Sequence, residues 1–294
     1  MGYSDFLCGV RHASTIDRRP DTVTEELNVA ALQHSPLPND LNKTLQQLSE
    51  YAQQAADNGA QVLMVPEASM TGYNIPLADM QSIAQADDGE LAGRVAELCI
   101  KHNLVIAYGF AERAEDNFYN CAQVIDAAGK VCSKYRKTHL WGDLDRTLFS
   151  AGADLAPLFS VGDWRVGLLI CYDIEFPECA RRLALEGADL LLVPTGLMKP
   201  WREVAEMVVP VRAYENQLYI AYTNYCGSEG DLTYEGRSCI VGPDGKDLAR
   251  AESSTPALLS ATLAKSAIAN AKEGLPYHRD RRPGLYTGIH KPRV

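Results

Sequence analysis

Three side chains of complementary chemistry stand just past short apolar runs. Glu67 follows VLMVP, Cys171 follows GLLI, and Lys137 follows a less apolar run that ends near Tyr135. A carboxylate can take a thiol proton, a thiolate can attack a carbonyl carbon, and an ammonium can hold the oxyanion that results. Each residue alone has a plainer account. Glu67 can cap the turn-like MTGYN (70–74), Lys137 can be an ordinary surface lysine, and Cys171 can be an inert buried thiol. Their equivalent placement is what joins them, because ligands of helix-covered α/β sheets sit beyond the carboxyl ends of strands. Thr195, after LLLVP, marks a fourth such end.

The elements that must position these groups alternate along the chain. Residues 27–33, 61–66, 104–110, 165–170, 189–195, 217–224, 239–241 and 257–263 read as strands, and 118–126 with 130–135 as a hairpin around Ala128-Gly129. Helical spacing follows Asp40, an N-cap, with Leu41, Leu45, Leu48 and Ala52 on one face, and recurs at 90–101, 177–186 and 204–215. Strands that are apolar nearly throughout, alternating with helices, predict an α/β protein whose sheet is covered by helices. No internal repeat or linker interrupts 27–265, which predicts one domain. Residues 1–26 are polar and irregular and read as an appended arm or disordered leader. Residues 266–294, Pro- and Arg-rich after Leu275, read as a surface tail in contact with a partner subunit.

Composition narrows the function classes. The 294 residues are 46% apolar and carry a formal charge of −10, which argues against a nucleic-acid partner. The short basic cluster HRDRRP (278–283) is the exception. No apolar run approaches the length of a membrane span, the first 26 residues hold no apolar signal core, and Phe6 breaks the myristoylation pattern. Eight scattered cysteines without a CxxC pair predict reduced thiols in a cytoplasmic protein.

Three motifs resemble those of the nitrilase superfamily of carbon–nitrogen hydrolases: PEASMTGY (66–73), KYRKTHLWGD (134–143) and CYDIEFPE (171–178), in that family's order and at similar separations. The longer stretches KTHLWGDLDRTLFSAGAD, CYDIEFPECARRLALEGADLLLVPT and NYCGSEG look like its amidase branch, which includes 5-aminopentanamidase and related aliphatic amidases. Cys-Tyr-Asp here, against the Cys-Trp-Glu of true nitrilases, disfavours a nitrile substrate. The resemblance implies a four-layer αββα sandwich, a homodimer or higher homo-oligomer, no metal or organic cofactor, and a small amide substrate. It implies catalysis by Glu67 as base, Lys137 and the Tyr172 N–H as oxyanion holders, and Cys171 as nucleophile. The family's second glutamate is missing from WGDLDR. Asp145, eight residues after Lys137, stands where related amidases place that acid, with Asp143 as the alternative.

Tyr73, Trp141, Tyr172, Thr195 and Met198 are the expected pocket wall, and Glu175, Asp173 or Asp143 the candidate anion for an ω-amino substrate. Asp173 and Arg182 are an expected ion pair beneath the nucleophile, and Cys179 a packed thiol. Rival readings are an N-carbamoyl hydrolase or nitrilase of the same superfamily, an acyl transferase, a papain-like enzyme using His139, and a non-catalytic scaffold.

Overall fold

The computed structural model describes residues 25–37 and 40–287. The N-terminal extension up to residue 24, Pro38 and Asn39, and the end of the tail from residue 288 lie outside the described residues. Fourteen strands are described: β1 (Glu26–Gln33), β2 (Val62–Met64), β3 (Val105–Ala114), β4 (Asn117–Ile125), β5 (Val131–Arg136), β6 (Phe159–Val161), β7 (Trp164–Leu168), β8 (Leu190–Pro194), β9 (Tyr219–Thr223), β10 (Ser228–Glu229), β11 (Leu232–Thr233), β12 (Cys239–Val241), β13 (Asp247–Arg250) and β14 (Ala257–Ala264). They build two six-stranded sheets, β14-β1-β2-β3-β4-β5 and β13-β12-β9-β8-β7-β6, with β10 and β11 as a separate hairpin. The centre of each sheet is parallel, β1-β2-β3 in one and β7-β8-β9 in the other. The flanking pairs are antiparallel. The helices used below are α1 (Leu41–Asp57), α2 (Leu77–Ile83), α3 (Glu90–His102), α4 (Gly142–Leu148), α5 (Pro177–Leu185), α6 (Val209–Asn216) and α7 (Lys265–Gly274).

Side chains alternate across a strand, and here both faces are buried, for different partners. Leu27, Val29 and Ala31 of β1 meet Val166 and Leu168 of β7 and Leu190 and Leu192 of β8 in a core between the sheets. Ala30 and Leu32 point the other way, toward Leu45 and Leu48 of α1 and Val95 and Cys99 of α3. Leu191 and Val193 of β8 likewise pack on Ala180 and Leu183 of α5 and Val209 and Ala213 of α6. Helix, sheet, sheet, helix is the αββα order. The Asp40 carboxylate accepts from Lys43 N at 3.0 Å and fixes the start of α1. The seven described cysteines are all free thiols.

Four stretches depart from the expected pattern. Residues 204–215 form a π-helical turn (Val204–Val208) running into α6. Pro210 has no N–H to continue an ordinary ladder, which accounts for the wider turn. Helix α7 begins at Lys265, where a tail was expected. Only Ile268 of it is buried, so its apolar periodicity is faint. The described part of the tail then lies on its own chain: Gln217 Nε2 donates to Ala271 O at 2.6 Å and Leu275 O at 2.5 Å, and the rings of Tyr214 and Tyr277 meet edge to face. Helices α2 and α4 stand where no element was assigned; each has seven residues, too few to display a period.

Candidate active site

The three strand ends converge where the two sheets meet. Past β2, Val65 N donates to Ala107 O at 3.0 Å, and Glu67 N reaches across to Thr195 O of the second sheet at 3.4 Å. Tyr225 Oη donates to Glu67 O at 2.9 Å. Gly109 of β3 faces this bend: a Cβ there would lie 2.3 Å from Ala68 N, so the close approach requires glycine. Lys137 is held just past β5 by its N–H, which donates to Asn120 O at 2.8 Å. Cys171 opens a 3-10 turn (Cys171–Glu175) at φ 48°, a conformation rarely adopted by residues with a side chain. Asp173 secures that turn by accepting from Ile170 N at 3.0 Å.

Lys137, Glu67 and Asp145 are fully buried. Lys137 Nζ lies 2.7 Å from Glu67 Oε1 and 2.7 Å from Asp145 Oδ2. Asn120 Nδ2 also donates to Glu67 Oε1, at 2.7 Å. Asp145 Oδ2 accepts from Trp141 N at 2.9 Å, so the carboxylate ties the start of α4 to the lysine. Asp143, on the same helix, is exposed. Of the two candidates for a second acid, Asp145 is the one in contact with Lys137, and the aspartate is long enough because α4 begins immediately beside the ammonium.

Four buried polar atoms of this cluster have no hydrogen-bond partner among the described residues: Glu67 Oε2, Asp145 Oδ1, Asn120 Oδ1 and Tyr73 Oη. Such orphans are rare in folded proteins and concentrate where chemistry occurs. Burial raises the Glu67 pKa, the Lys137 charge pulls it back, and the Asp145 charge raises it again, with a net upward shift. Burial also opposes the charge on Lys137, but Glu67 and Asp145 outweigh it and hold its pKa well above the ordinary lysine value. Burial, then the Glu67 charge, push the Cys171 thiol far up, so it rests protonated at neutral pH.

A cavity of about 220 Å³ opens on Cys171. Tyr73, Trp141, Tyr172 and Met198 line it as expected, joined by Gly196, Leu197, Trp201, Val204 and Glu175. Thr195 does not line it. Its buried hydroxyl donates to Tyr222 Oη at 3.2 Å and lies within hydrogen-bond reach of the Cys171 thiol, while the next residue, Gly196, provides the wall. The expected Asp173–Arg182 pair is also absent: Arg182 pairs with Glu186 on the surface. Asp173 instead accepts from Tyr135 Oη (2.8 Å), Thr138 Oγ1 (3.0 Å) and His139 N (3.0 Å), with His139 Nδ1 at 2.8 Å. That ring stacks on Phe176 at 4.0 Å and is not on the cavity wall, which leaves the papain-like reading without its base.

Two contributors escaped the sequence. Asn120 is one of two amides, with Gln123, in the buried run NCAQVI, and a polar side chain in such a run is its only signal. Glu229 accepts from Tyr73 N and Asn74 N, each at 3.1 Å, and from Tyr234 Oη at 2.5 Å, clamping the Glu67 loop to the β10–β11 hairpin. It lies within NYCGSEG, one of the stretches that carry the resemblance, but nothing in that stretch assigns it this role. Among the described residues, no group of three or more His, Cys, Asp or Glu side chains is placed to hold a metal ion. No described helix is long and apolar enough to cross a membrane.

Comparison with known proteins gives this geometry its context. The carbon–nitrogen hydrolase family model matches residues 28–273. "Hydrolase in pqqF 5'region" of Pseudomonas protegens is 44% identical over 280 residues, 95% of this chain and 97% of that protein. Two solved structures of one amidase are also similar. A cysteine-to-alanine mutant of the Nesterenkonia AN1 amidase from the nitrilase superfamily superimposes with a TM-score of 0.80 at 30% identity, covering 90% of this chain and 97% of that one. A second mutant of it, showing covalent addition of the acetamide moiety of fluoroacetamide at the active site cysteine, gives a TM-score of 0.79 at 31% identity, over 88% and 95%. With the family model spanning most of its length and so similar a relative along nearly all of it, this chain belongs to the carbon–nitrogen hydrolase family of the nitrilase superfamily, and is an amidase-type hydrolase of carbon–nitrogen bonds other than peptide bonds.

Proposed function

We propose that the protein hydrolyses a small aliphatic or ω-amino carboxamide to the acid and ammonia through a thioester on Cys171. Glu67 takes the Cys171 proton on Oε2, the oxygen that has no other partner. The sulfur attacks the amide carbon, an S–C bond forms, and the carbonyl electron pair moves to oxygen. Lys137 and the Tyr172 N–H, at the start of a turn whose first donors lack partners within it, hold that oxyanion. Each placed donor is worth about 3–4 kcal/mol of barrier. The oxyanion collapses, the C–N bond breaks, and Glu67 returns its proton to the departing nitrogen. Water then gives a proton to Glu67 and attacks the thioester; the S–C bond breaks, and sulfur recovers the proton. Asp145 keeps Lys137 charged and in place throughout.

The observation carrying this reading is the partnerless oxygen of Glu67, a buried carboxylate of raised pKa, next to a cavity that opens on the Cys171 thiol. The covalent adduct at the active site cysteine of the Nesterenkonia amidase, formed in a glutamate-to-glutamine mutant, supports the part of this reading that makes the cysteine the nucleophile. The test is ammonia release from a panel of short amides, ω-amino amides, N-carbamoyl compounds and nitriles, with mass spectrometry of the intact protein. Amide turnover with an acyl mass on Cys171, lost in Cys171→Ala, is the expected result. Turnover confined to nitriles or N-carbamoyl compounds, or none at all, would overturn it.

A further inference from the structure

We infer that Glu175 selects substrates by charge, admitting amides whose acyl chain carries a positive group and placing that group at the far side of the cavity from the thioester carbon. The inference rests on the amidase reading above and adds to it a residue and a substrate class.

Three observations lead there. First, Glu175 lines the same cavity as Cys171 and closes the five-residue turn that Cys171 opens. A 3-10 turn rises about 2 Å per residue, so the two α-carbons lie roughly 8 Å apart along its axis, room for a short chain between nucleophile and carboxylate. Second, no hydrogen bond or ion pair engages the Glu175 carboxylate among the described residues. The nearby Arg212 is not its partner: Arg212 Nε donates to Ile174 O at 3.0 Å, Nη2 to Glu175 O at 2.9 Å, and Nη1 to Glu215 Oε1 at 3.0 Å. That guanidinium is spent on the backbone behind the turn and on another acid. Burial raises the Glu175 pKa and the charges of Lys137 and Arg212 offset this only in part, so a half-buried carboxylate without a hydrogen-bond partner gains from a cation that enters the cavity. Third, the remaining wall suits a cation. Tyr73, Trp141, Tyr172 and Trp201 surround the cavity with aromatic rings, whose faces attract ammonium groups, while Leu197 and Val204 accommodate methylenes. The other acids near the nucleophile are excluded from this role. Asp173 is saturated by donors, Asp143 is exposed, and Asp145 is held by Lys137 and Trp141 N.

The experiment compares isosteric pairs of straight-chain amides of increasing length, each pair ending in an ammonium or in a methyl group. It measures kcat/KM for the wild-type protein, Glu175→Gln and Glu175→Arg. The wild type is expected to prefer the ammonium member about ten- to a hundredfold at one or more lengths. Glu175→Gln should remove that preference chiefly through KM of the charged member. Glu175→Arg should invert it in favour of amides ending in a carboxylate. A wild type that turns over neutral amides as well as charged ones overturns the inference and leaves the amidase reading intact, and this arm needs no variant to fold. An equal loss on both members in Glu175→Gln also overturns it, because that is the signature of a catalytic contribution. Absence of turnover and of any Cys171 adduct with every amide overturns both readings.

Discussion

Two buried carboxylate clusters flank Cys171, and they differ in whether their hydrogen-bonding capacity is used up. On the cavity side, Glu67 and Asp145 share one ammonium, and each keeps an oxygen without a partner. Behind the turn, Asp173 gathers Ile170 N, Tyr135 Oη, Thr138 Oγ1 and His139 N, with the His139 ring beside them, and neither oxygen is left over. Burial and residue type are alike. A saturated carboxylate fixes geometry; the spare oxygen of Glu67, whose pKa is raised by burial, can take up a proton. The clusters thus separate chemistry from scaffold within a single turn of chain.

The largest effect that would sharpen this contrast is Glu67→Gln. The amide keeps the shape but cannot accept the thiol proton, so kcat should fall by roughly 10²–10⁴ with little change in melting temperature, read by ammonia release and thermal denaturation. Next is Asp145→Asn. Glu67 must be ionised to act, and its pKa is raised first by burial and further by the Asp145 charge. Activity should therefore fall on the acid side at a pH above the ordinary carboxylate value. Removing the Asp145 charge lowers the Glu67 pKa, so the acid limb of kcat/KM should move to lower pH even as kcat drops. A limb that stays in place would break the coupling between the two acids. On the other cluster, Asp173→Asn should cost about 2–3 kcal/mol of stability, since the amide cannot accept from all these donors. Measured by denaturant unfolding, that loss should exceed the one from Glu67→Gln, while the catalytic loss stays the smaller. The smallest effect is Tyr135→Phe, which removes one donor from Asp173 and should cost about 1 kcal/mol. If Tyr135→Phe instead impaired kcat as Glu67→Gln does, the division between the clusters would fail.

The sequence made the strand and helix alternation legible because both sheet centres are parallel and doubly buried, which leaves long apolar runs. Glu67 and Cys171 could be picked out for the same reason, since polar residues stand out at the ends of such runs; Lys137, after the mixed edge strand β5, stood out less. Elements without that contrast were missed: β6 and β13 at the edges of the second sheet, the short α4 that carries Asp145, and α7 with one buried residue. Thr195 shows the limit of strand-end reasoning. It occupies an equivalent end and its hydroxyl reaches the Cys171 thiol and Tyr222, but the cavity wall itself falls to Gly196. Asn120 and Glu229 act across 53 and 156 residues of chain, on Glu67 and on Tyr73 respectively, and only the packed sheets bring them there.

The bond from Glu67 N to Thr195 O is a small feature with a wide reach. It joins the layer that carries the acid and the ammonium to the layer that carries the thiol. Neither layer by itself has a working set, so the enzyme has no half-active halves. Catalytic competence should therefore vanish as soon as the two layers begin to part, before either loses its internal ladder of backbone bonds. Turnover is then an alarm for the first step of unfolding, tripped earlier than any spectroscopic signal of lost secondary structure.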